Sequence, residues 1–291
     1  MYYFIVNTAA GHSKVVSLMN RLKQKLLEKG IFGEMMKTTT KGDASHLARI
    51  AIKKGYSTVV AIGGDGTVHE VLNGIAGTGT VLGIIPLGSE NRIAKSLGIS
   101  LDWKEAIDDL AARSMQNIDI GKVQESKTYF LLSGSIGLGV ELVRDKFREK
   151  KSGFLNLWGS SSHIRKTLLK TGIFGIECVV DRTFRLTSQV YHVSVLNSGE
   201  HFSSVFQSIN NDCRDGLLDL VLYASDANAK RIGNLLPNKN RSITVLRGKE
   251  IHLDTNVRMD VQVDGQIVAK TPVTFRIASF GQKVIVSKAK N

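Results

Sequence analysis

The sequence predicts a chain of two fold classes: an α/β domain with a parallel sheet over residues 1–122, then an antiparallel β domain over 123–291. Three observations predict it. Apolar strand-like runs alternate with helix-period segments through the first part, the pattern of units that build parallel sheets. Four of those strands end in short polar loops. Beyond 122, short apolar runs follow one another with turn residues between them, and helix-period segments interrupt only at about 153–171 and 226–236.

Taken in order, Tyr2–Val6 is the first strand, and Asn7-Thr8-Ala9-Ala10-Gly11 is the loop at its end. Ser13 can cap a helix whose face is Val15, Leu18, Met19, Leu22 and Leu26, and Gly30 stops it. Glu34–Lys37 is a weakly patterned second strand. Thr38–Asp43 is a polar loop leading to a helix with Leu47, Ala48 and Ala51. The third strand, Thr58–Ile62, enters Gly63-Gly64-Asp65-Gly66-Thr67, and Val68, Val71, Leu72 and Ile75 carry a helix out of it. The fourth strand, Val81–Ile85, ends in Pro86-Leu87-Gly88-Ser89-Glu90-Asn91 before a helix with Ile93, Ala94 and Leu97. Trp103, Ala106, Ile107 and Leu110 share a face of a helix over 103–113, with Trp103 in the core. Ligands collect at the carboxyl ends of strands in open α/β sheets, so Asn7, Thr38, Asp65 and Ser89 should converge on one edge.

The Gly63–Thr67 turn organises this half. Its glycines allow positive φ or close approach of a ligand, and successive amides before a helix make an anion site. Asp65 is the unusual member: a carboxylate among phosphate-binding amides needs a cation or a proton. That combination suggests phosphoryl transfer with magnesium. His69, one turn on, is expected at the surface beside the phosphate site.

In the second half the expected strands are Tyr129–Ser133, Ile176–Val180, Val190–Leu196, Leu217–Tyr223, Ile243–Leu246, Met259–Val263, Val273–Ile277 and Lys283–Val286. The glycine-rich Ser133–Gly139 opens no clear helix and so is not expected to be a phosphate loop.

Composition narrows the partner. The net charge of +13 calls for an anion: nucleic acid, nucleotide or an acidic membrane surface. No zinc-finger spacing, basic zipper or RNA-recognition signature occurs. No run reaches about 18 apolar residues, so no spanning helix is expected. Met1–Asn7 reads as a strand rather than a signal peptide. Cys178 and Cys213 read as two reduced thiols of a cytosolic protein.

Six segments in order resemble one family. Gly63-Gly64-Asp65-Gly66-Thr67 with Glu70-Val71-x-Asn73-Gly74, then Gly83-Ile84-Ile85-Pro86-Leu87-Gly88-Ser89-x-Asn91, is similar to the diacylglycerol kinase catalytic-domain family. Bacterial soluble lipid kinases and the sphingosine and ceramide kinases share these motifs. The Asn7–Gly11 loop, Thr38-x-x-x-Gly42-Asp43-Ala44, Arg214-Asp215-Gly216-Leu217-Leu218-Asp219 and Val261-x-Val263-Asp264-Gly265 extend the likeness over nearly the whole chain.

The resemblance implies an N-terminal nucleotide-binding α/β domain and a C-terminal β-sandwich that takes the lipid, with the active site in the cleft between. It implies transfer of the ATP γ-phosphoryl group to a lipid hydroxyl with magnesium. Asn7, Gly11, Thr38, Gly63, Gly64, Asp65, Gly66, Thr67, Ser89 and Asn91 would then touch the nucleotide. Asp65 would act through magnesium or assist the nucleophile, with Asp264 and Gln266 at the other catalytic positions. A structural magnesium would be held by Asp215 and the carbonyls of Asp212 and Leu217, an oxygen-only set.

Two positions depart from the family. Gly88-Ser89-Glu90-Asn91-Arg92 stands where the family has Gly-Thr-Gly-Asn-Asp, so Arg92 replaces an acid, with Glu90 two residues earlier. Gln266 replaces the Glu of Asp-Gly-Glu, the family's proposed general base, and an amide accepts no proton at neutral pH. The leading expectation is a cytoplasmic ATP-dependent lipid kinase, peripheral at the inner membrane surface. Its partners would be ATP, a membrane lipid and an anionic bilayer, with no nucleic acid. A catalytically impaired lipid- or nucleotide-binding homologue is the alternative, and an NAD kinase, sharing Gly-Gly-Asp-Gly-Thr, a further one. The basic, Trp-containing stretch 144–171 fits either a membrane interface or a helix packed on the β domain. The acceptor lipid and a homodimeric state stay open.

Overall fold

A computed structural model describes residues 1–8, 14–152, 166–167, 169–198, 212–224 and 243–288. The chain divides into two compact units, Met1–Ile120 with Ala278–Asn291, and Gly121–Ile277. The fold class is as the sequence predicts: a mainly parallel sheet with helices, and a separate antiparallel sheet.

The first unit runs β1 (Tyr2–Val6), α1 (Lys14–Glu28), β2 (Gly33–Lys37), α2 (Asp43–Lys53), β3 (Thr58–Gly63), α3 (Asp65–Ile75), β4 (Val81–Pro86), α4 (Arg92–Ser96), α5 (Trp103–Ala112) and β5 (Met115–Ile118). Its sheet order is β2–β1–β3–β4–β17–β5, where β17 (Gln282–Ile285) is the last strand among the described residues. β1, β3 and β4 are buried along their whole length, which is why they read as unbroken apolar runs. The edge strand β2 is half-exposed and correspondingly weak in pattern. Phe4, Val6, Val60, Ile62, Ile85 and Leu110 form the core, and Trp103 packs against it. Each such side chain contributes about 1.5–3 kcal/mol by leaving water. Helices α2 and α3 pack closely because their contact is small. A Cβ on Gly74 would lie 2.7 Å from the Ser45 carbonyl.

The last strand departs from expectation. The sequence pattern places Lys283–Val286 in the antiparallel domain, but β17 pairs parallel with β4 and antiparallel with β5. Val284, Ile285 and Val286 are buried there, and the buried Gln282 amide donates to the Thr80 carbonyl at 2.8 Å.

The second unit holds β6 (Gly121–Val123), β7 (Thr128–Phe130), β8 (Ser133–Gly137), α6 (Leu138–Ser152), β9 (Phe174–Val180), β10 (Phe184–Leu196), β11 (Leu218–Ala224), β12 (Ile243–Gly248), β13 (Glu250–Thr255), β14 (Asp260–Val263), β15 (Gln266–Lys270) and β16 (Val273–Ile277). They form one 11-stranded sheet with the path β15–β14–β8–β10–β9–β13–β16–β6–β7, with β11 on β10 and β12 on β11. The sheet curls until it nearly closes. β8 and β16 lie four places apart along the path, yet a Cβ on Gly134 would run into the Phe275 ring. Phe130 and Phe275 also meet edge to face at 5.9 Å. Ile136, Val193, Val195, Leu220, Leu253 and Val261 fill the interior.

Two expectations fail here. Tyr129–Ser133 is not one strand: the run breaks at Leu131–Leu132, whose amides bond the Asp264 carboxylate. Ser133–Gly139 does open a helix, since α6 begins at Leu138, directly after β8. The expected helix at 226–236, most of that at 153–171, and so half of the basic stretch 144–171, lie outside the described residues. Among the described residues no helix is long and apolar enough to cross a membrane. Cys178 and Cys213 are not joined in a disulfide, and burial pushes the Cys178 thiol up to about 12.

Candidate active site

The strand order of the first sheet reverses between β1 and β3, with β2 outside one and β4 outside the other. The crevice beyond the carboxyl ends at such a point is where an open α/β sheet binds ligands. Asn7 follows β1, Thr38 follows β2, Gly63–Thr67 follows β3 and Ser89 follows β4, so four predicted loops share that edge. Gly11 lies outside the described residues. The loops continue the ladder for one more bond each. The Asn7 amide donates to the Ile62 carbonyl and that of Thr38 to Val6, both at 2.9 Å, and that of Leu87 donates to Gly63 at 2.8 Å.

The turn at the centre is tied from both sides. The Asn7 side-chain amide donates to Thr67 Oγ1 at 3.0 Å. Gly64 caps α3 in extended conformation, φ −101°, and its carbonyl accepts from the amides of Thr67 and Val68. The glycines serve close approach rather than left-handed backbone, because none of Gly63, Gly64, Gly66 or Gly88 has positive φ. A Cβ on Gly88 would sit 2.4 Å from Gly64 Cα, and one on Gly63 would overlap Thr67 Oγ1. The turns after β3 and β4 are therefore in backbone contact.

Asp65 opens α3, half-buried, and its Oδ1 accepts from the Ile93 amide at 2.9 Å, bracing the start of α4. Asn91, at φ 50°, uses its side chain on Gly88: Oδ1 accepts from the Gly88 amide at 2.9 Å and Nδ2 donates to its carbonyl at 3.0 Å. Ser89, between them, is exposed. The Arg92 guanidinium lies 3.1 Å from the Glu90 carboxylate, so the base at the family's acidic position is neutralised by its neighbour.

Other motif residues have structural duties. Glu70 accepts from the amides of Gly42 at 3.0 Å and Ala44 at 3.2 Å, fastening α3 to the start of α2. Asp43 gathers the backbone and hydroxyl donors of Thr39 and Thr40, led by the Thr39 hydroxyl, which hold its carboxyl well below the usual carboxylate range. His69 is buried rather than at the surface, beside Asn73, which donates to its carbonyl at 2.9 Å. It faces helix neighbours because it falls on the side of α3 that also carries Leu72 into the core.

The second unit carries the remaining predicted residues. Asp264 and Gly265 are the two loop residues between Val263 and Gln266, with φ 46° and 81°. Two positive φ values mark a tight hairpin of the Asp-Gly kind. The Asp264 carboxylate, 2% exposed, accepts from the amides of Leu131 at 2.8 Å, Leu132 at 2.9 Å and Ser133 at 3.2 Å. Gln266 starts β15, and its Oε1 is a buried acceptor without a hydrogen-bond donor among the described residues.

Around Asp215, Oδ1 accepts from the Leu217 amide at 3.0 Å and Oδ2 from Arg247 Nη2 at 3.1 Å. Arg247 also pairs with the buried Asp219, its cross-strand partner. The Asp212 carboxylate faces Arg214, and its carbonyl accepts from the Asp215 amide at 3.3 Å. With both Asp215 oxygens engaged and a guanidinium beside them, this arrangement does not fit a divalent cation. No group of three or more His, Cys, Asp or Glu poised for a metal occurs among the described residues. Sequence reasoning did not single out Arg247, because its link to Asp215 and Asp219 is made across β11 and β12.

Residues 1–123 match the family model described as the diacylglycerol kinase catalytic domain, as the motifs predicted. A Streptococcus pneumoniae protein provisionally named a lipid kinase is 29% identical over 98% of this chain and 97% of its own. The diacylglycerol kinase of Bacillus subtilis is 26% identical over 93% of this chain and 91% of its own. Among solved structures, a provisionally named diacylglycerol kinase from Bacillus anthracis has the same fold. Its TM-score is 0.79 at 24% identity, over 99% of this chain and 95% of that one.

Proposed function

We propose that this chain, whose first 123 residues match the diacylglycerol kinase catalytic domain, is an ATP-dependent lipid kinase. It would transfer the γ-phosphoryl group to the hydroxyl of a diacylglycerol-like or sphingoid acceptor. One observation carries the reading: a glycine turn holding Asp65 sits at the switch point of a parallel sheet, where backbone amides meet the positive end of α3.

Phosphoryl transfer depends on positioning and charge neutralisation more than on covalent chemistry. The amides of Gly64, Asp65 and Gly66 take the phosphates, with Asn7, Thr38 and Ser89 around them. Magnesium usually needs only one or two carboxylates beside the phosphate oxygens, and Asp65 supplies one, half-exposed, at this edge. The ion, when bound, neutralises charge on the transferring phosphate. Gln266 Oε1, a buried acceptor lacking a donor, suits the acceptor hydroxyl: it orients that hydroxyl without removing its proton.

The test is ATP-dependent phosphorylation of a mixed lipid extract in detergent micelles with magnesium. Asp65→Asn is the key variant, because it keeps an oxygen for the Ile93 amide while losing the charge. A labelled lipid that disappears in Asp65→Asn supports the kinase. An equal product in both would reject the role given to Asp65.

A second reading is favoured by Gln266 itself and by the three amides that hold Asp264. Neither residue is placed as a general base, so a non-catalytic lipid- or nucleotide-binding protein is the competitor. Magnesium-dependent ATP binding without a lipid product would choose it. Gln266→Glu restores a base, worth typically about 10²–10⁴-fold, and a gain of that order would place the deficit at this position.

A further inference from the structure

The second unit holds a cavity of about 330 Å³ whose wall includes Arg144, Lys170, Arg258 and Lys270, with only Glu141 and Asp260 against them among the described residues. That size admits a small head group. The acids are shared. Glu141 pairs with Arg144 and with Lys170 at 3.0 Å, and Asp260 pairs with Arg144 and with Lys270 at 3.5 Å. Arg258 has no carboxylate partner among the described residues and is exposed. Two positive charges are thus in excess in one concave place.

A second observation is independent of the charge. Leu169 and Ile173, which flank the wall residues Lys170 and Thr171, are 52% and 56% exposed, and Val257, just before Arg258, is 57% exposed. Large apolar side chains left in water beside cations are what an interfacial contact requires: the cations meet phosphate while the apolar groups enter the acyl boundary.

We infer that this cavity is a docking site for the phosphate of an anionic phospholipid, and that Leu169, Ile173 and Val257 seat the same face in the bilayer. The inference rests on the lipid-kinase reading for its purpose but not for its geometry. The site would hold a lipid that is bound and not consumed, keeping the chain on a surface rich in its acceptor.

The experiment is co-sedimentation of the full chain, without ATP, with vesicles of phosphatidylcholine alone or mixed with phosphatidylglycerol. Wild type should pellet with the anionic vesicles only. Arg258→Glu should weaken binding about tenfold or more, since each cation near such a surface is worth about fivefold. Leu169→Ser with Ile173→Ser should weaken it too, at unchanged melting temperature. Wild-type behaviour in both variants, or no pelleting of wild type, overturns the inference. So does release of wild type by inorganic phosphate together with an intact Leu169/Ile173 variant, the signature of a soluble-anion site. Turnover of a micelle-dispersed acceptor, measured in the same variants, reports on the kinase separately. Turnover with unaltered vesicle binding sinks only the docking site, and binding without turnover sinks only the kinase.

Discussion

Gly88→Ala tests whether the two turns at the strand ends act as one piece. The added methyl would lie 2.4 Å from Gly64 Cα, 2.7 Å from Asn91 Oδ1 and 3.1 Å from the Gly64 nitrogen. Ordinary contact begins at 3.4 Å, so the turns must part by about 1 Å. Neither neighbour yields cheaply, because Gly64 is backbone and Asn91 is bonded twice to Gly88. Overpacking of this kind costs about 1–3 kcal/mol, or about 6 °C in melting temperature for 2 kcal/mol in a unit this size. The functional loss should be larger in proportion, since misplacing a reacting group by about 1 Å can cost about 10²-fold. Gly64→Ala is the graded control: its methyl would stop 3.1 Å from Gly88 Cα and should do less on both counts. Thermal unfolding, nucleotide titration and micelle turnover of the two variants are the assays. A Gly88→Ala protein with native melting temperature and native nucleotide affinity would refute the claim that these turns touch.

Asp264→Ala should destabilise the second unit by at least about 3 kcal/mol by stranding three amides, at about 1–3 kcal/mol each; denaturant midpoints check it, and Asp264→Asn should lose less. With no nucleotide present, a chelator should leave the wild-type melting temperature unchanged. Arg247→Ala should melt earlier and regain stability with added magnesium or calcium, having freed Asp215 and Asp219; a chelator-sensitive wild type refutes the arginine's role. The folded-state pKa of Asp43 is depressed, so its contribution is complete above the unfolded value of about 3.9 and is lost as pH falls below it. The melting-temperature gap between wild type and Asp43→Asn should therefore be flat from neutral pH to about pH 5 and shrink in more acid solution.

Much of the first unit was legible because its information is local. A strand buried on both faces is a continuous apolar run, and a helix leaving a glycine loop shows its period within ten residues. That located Asn7, Thr38, Asp65 and Ser89 at one sheet edge. The site was less legible in what its side chains do. Asn91 and Glu70 sit in motifs that read as ligand-binding, yet their polar atoms are spent on Gly88 and on the start of α2. Asp264-Gly265 carried a usable signal, an Asp-Gly pair between alternating apolar residues, which is a hairpin signature. What no local pattern holds is pairing across long separations. Arg247 meets Asp219 because β12 lies on β11, and the destination of β17 depends on the gap between β4 and β5.

The place of β17 has a consequence for how the protein is made. The ribosome must finish all of Gly121–Ile277 before the strand that joins β4 to β5 exists. Until then the nascent first unit carries β4 with one open edge, a template for wrong pairing. Completion of the sheet is thus a checkpoint that waits on the inserted unit: the parallel core closes only around a chain whose Gly121–Ile277 has already emerged.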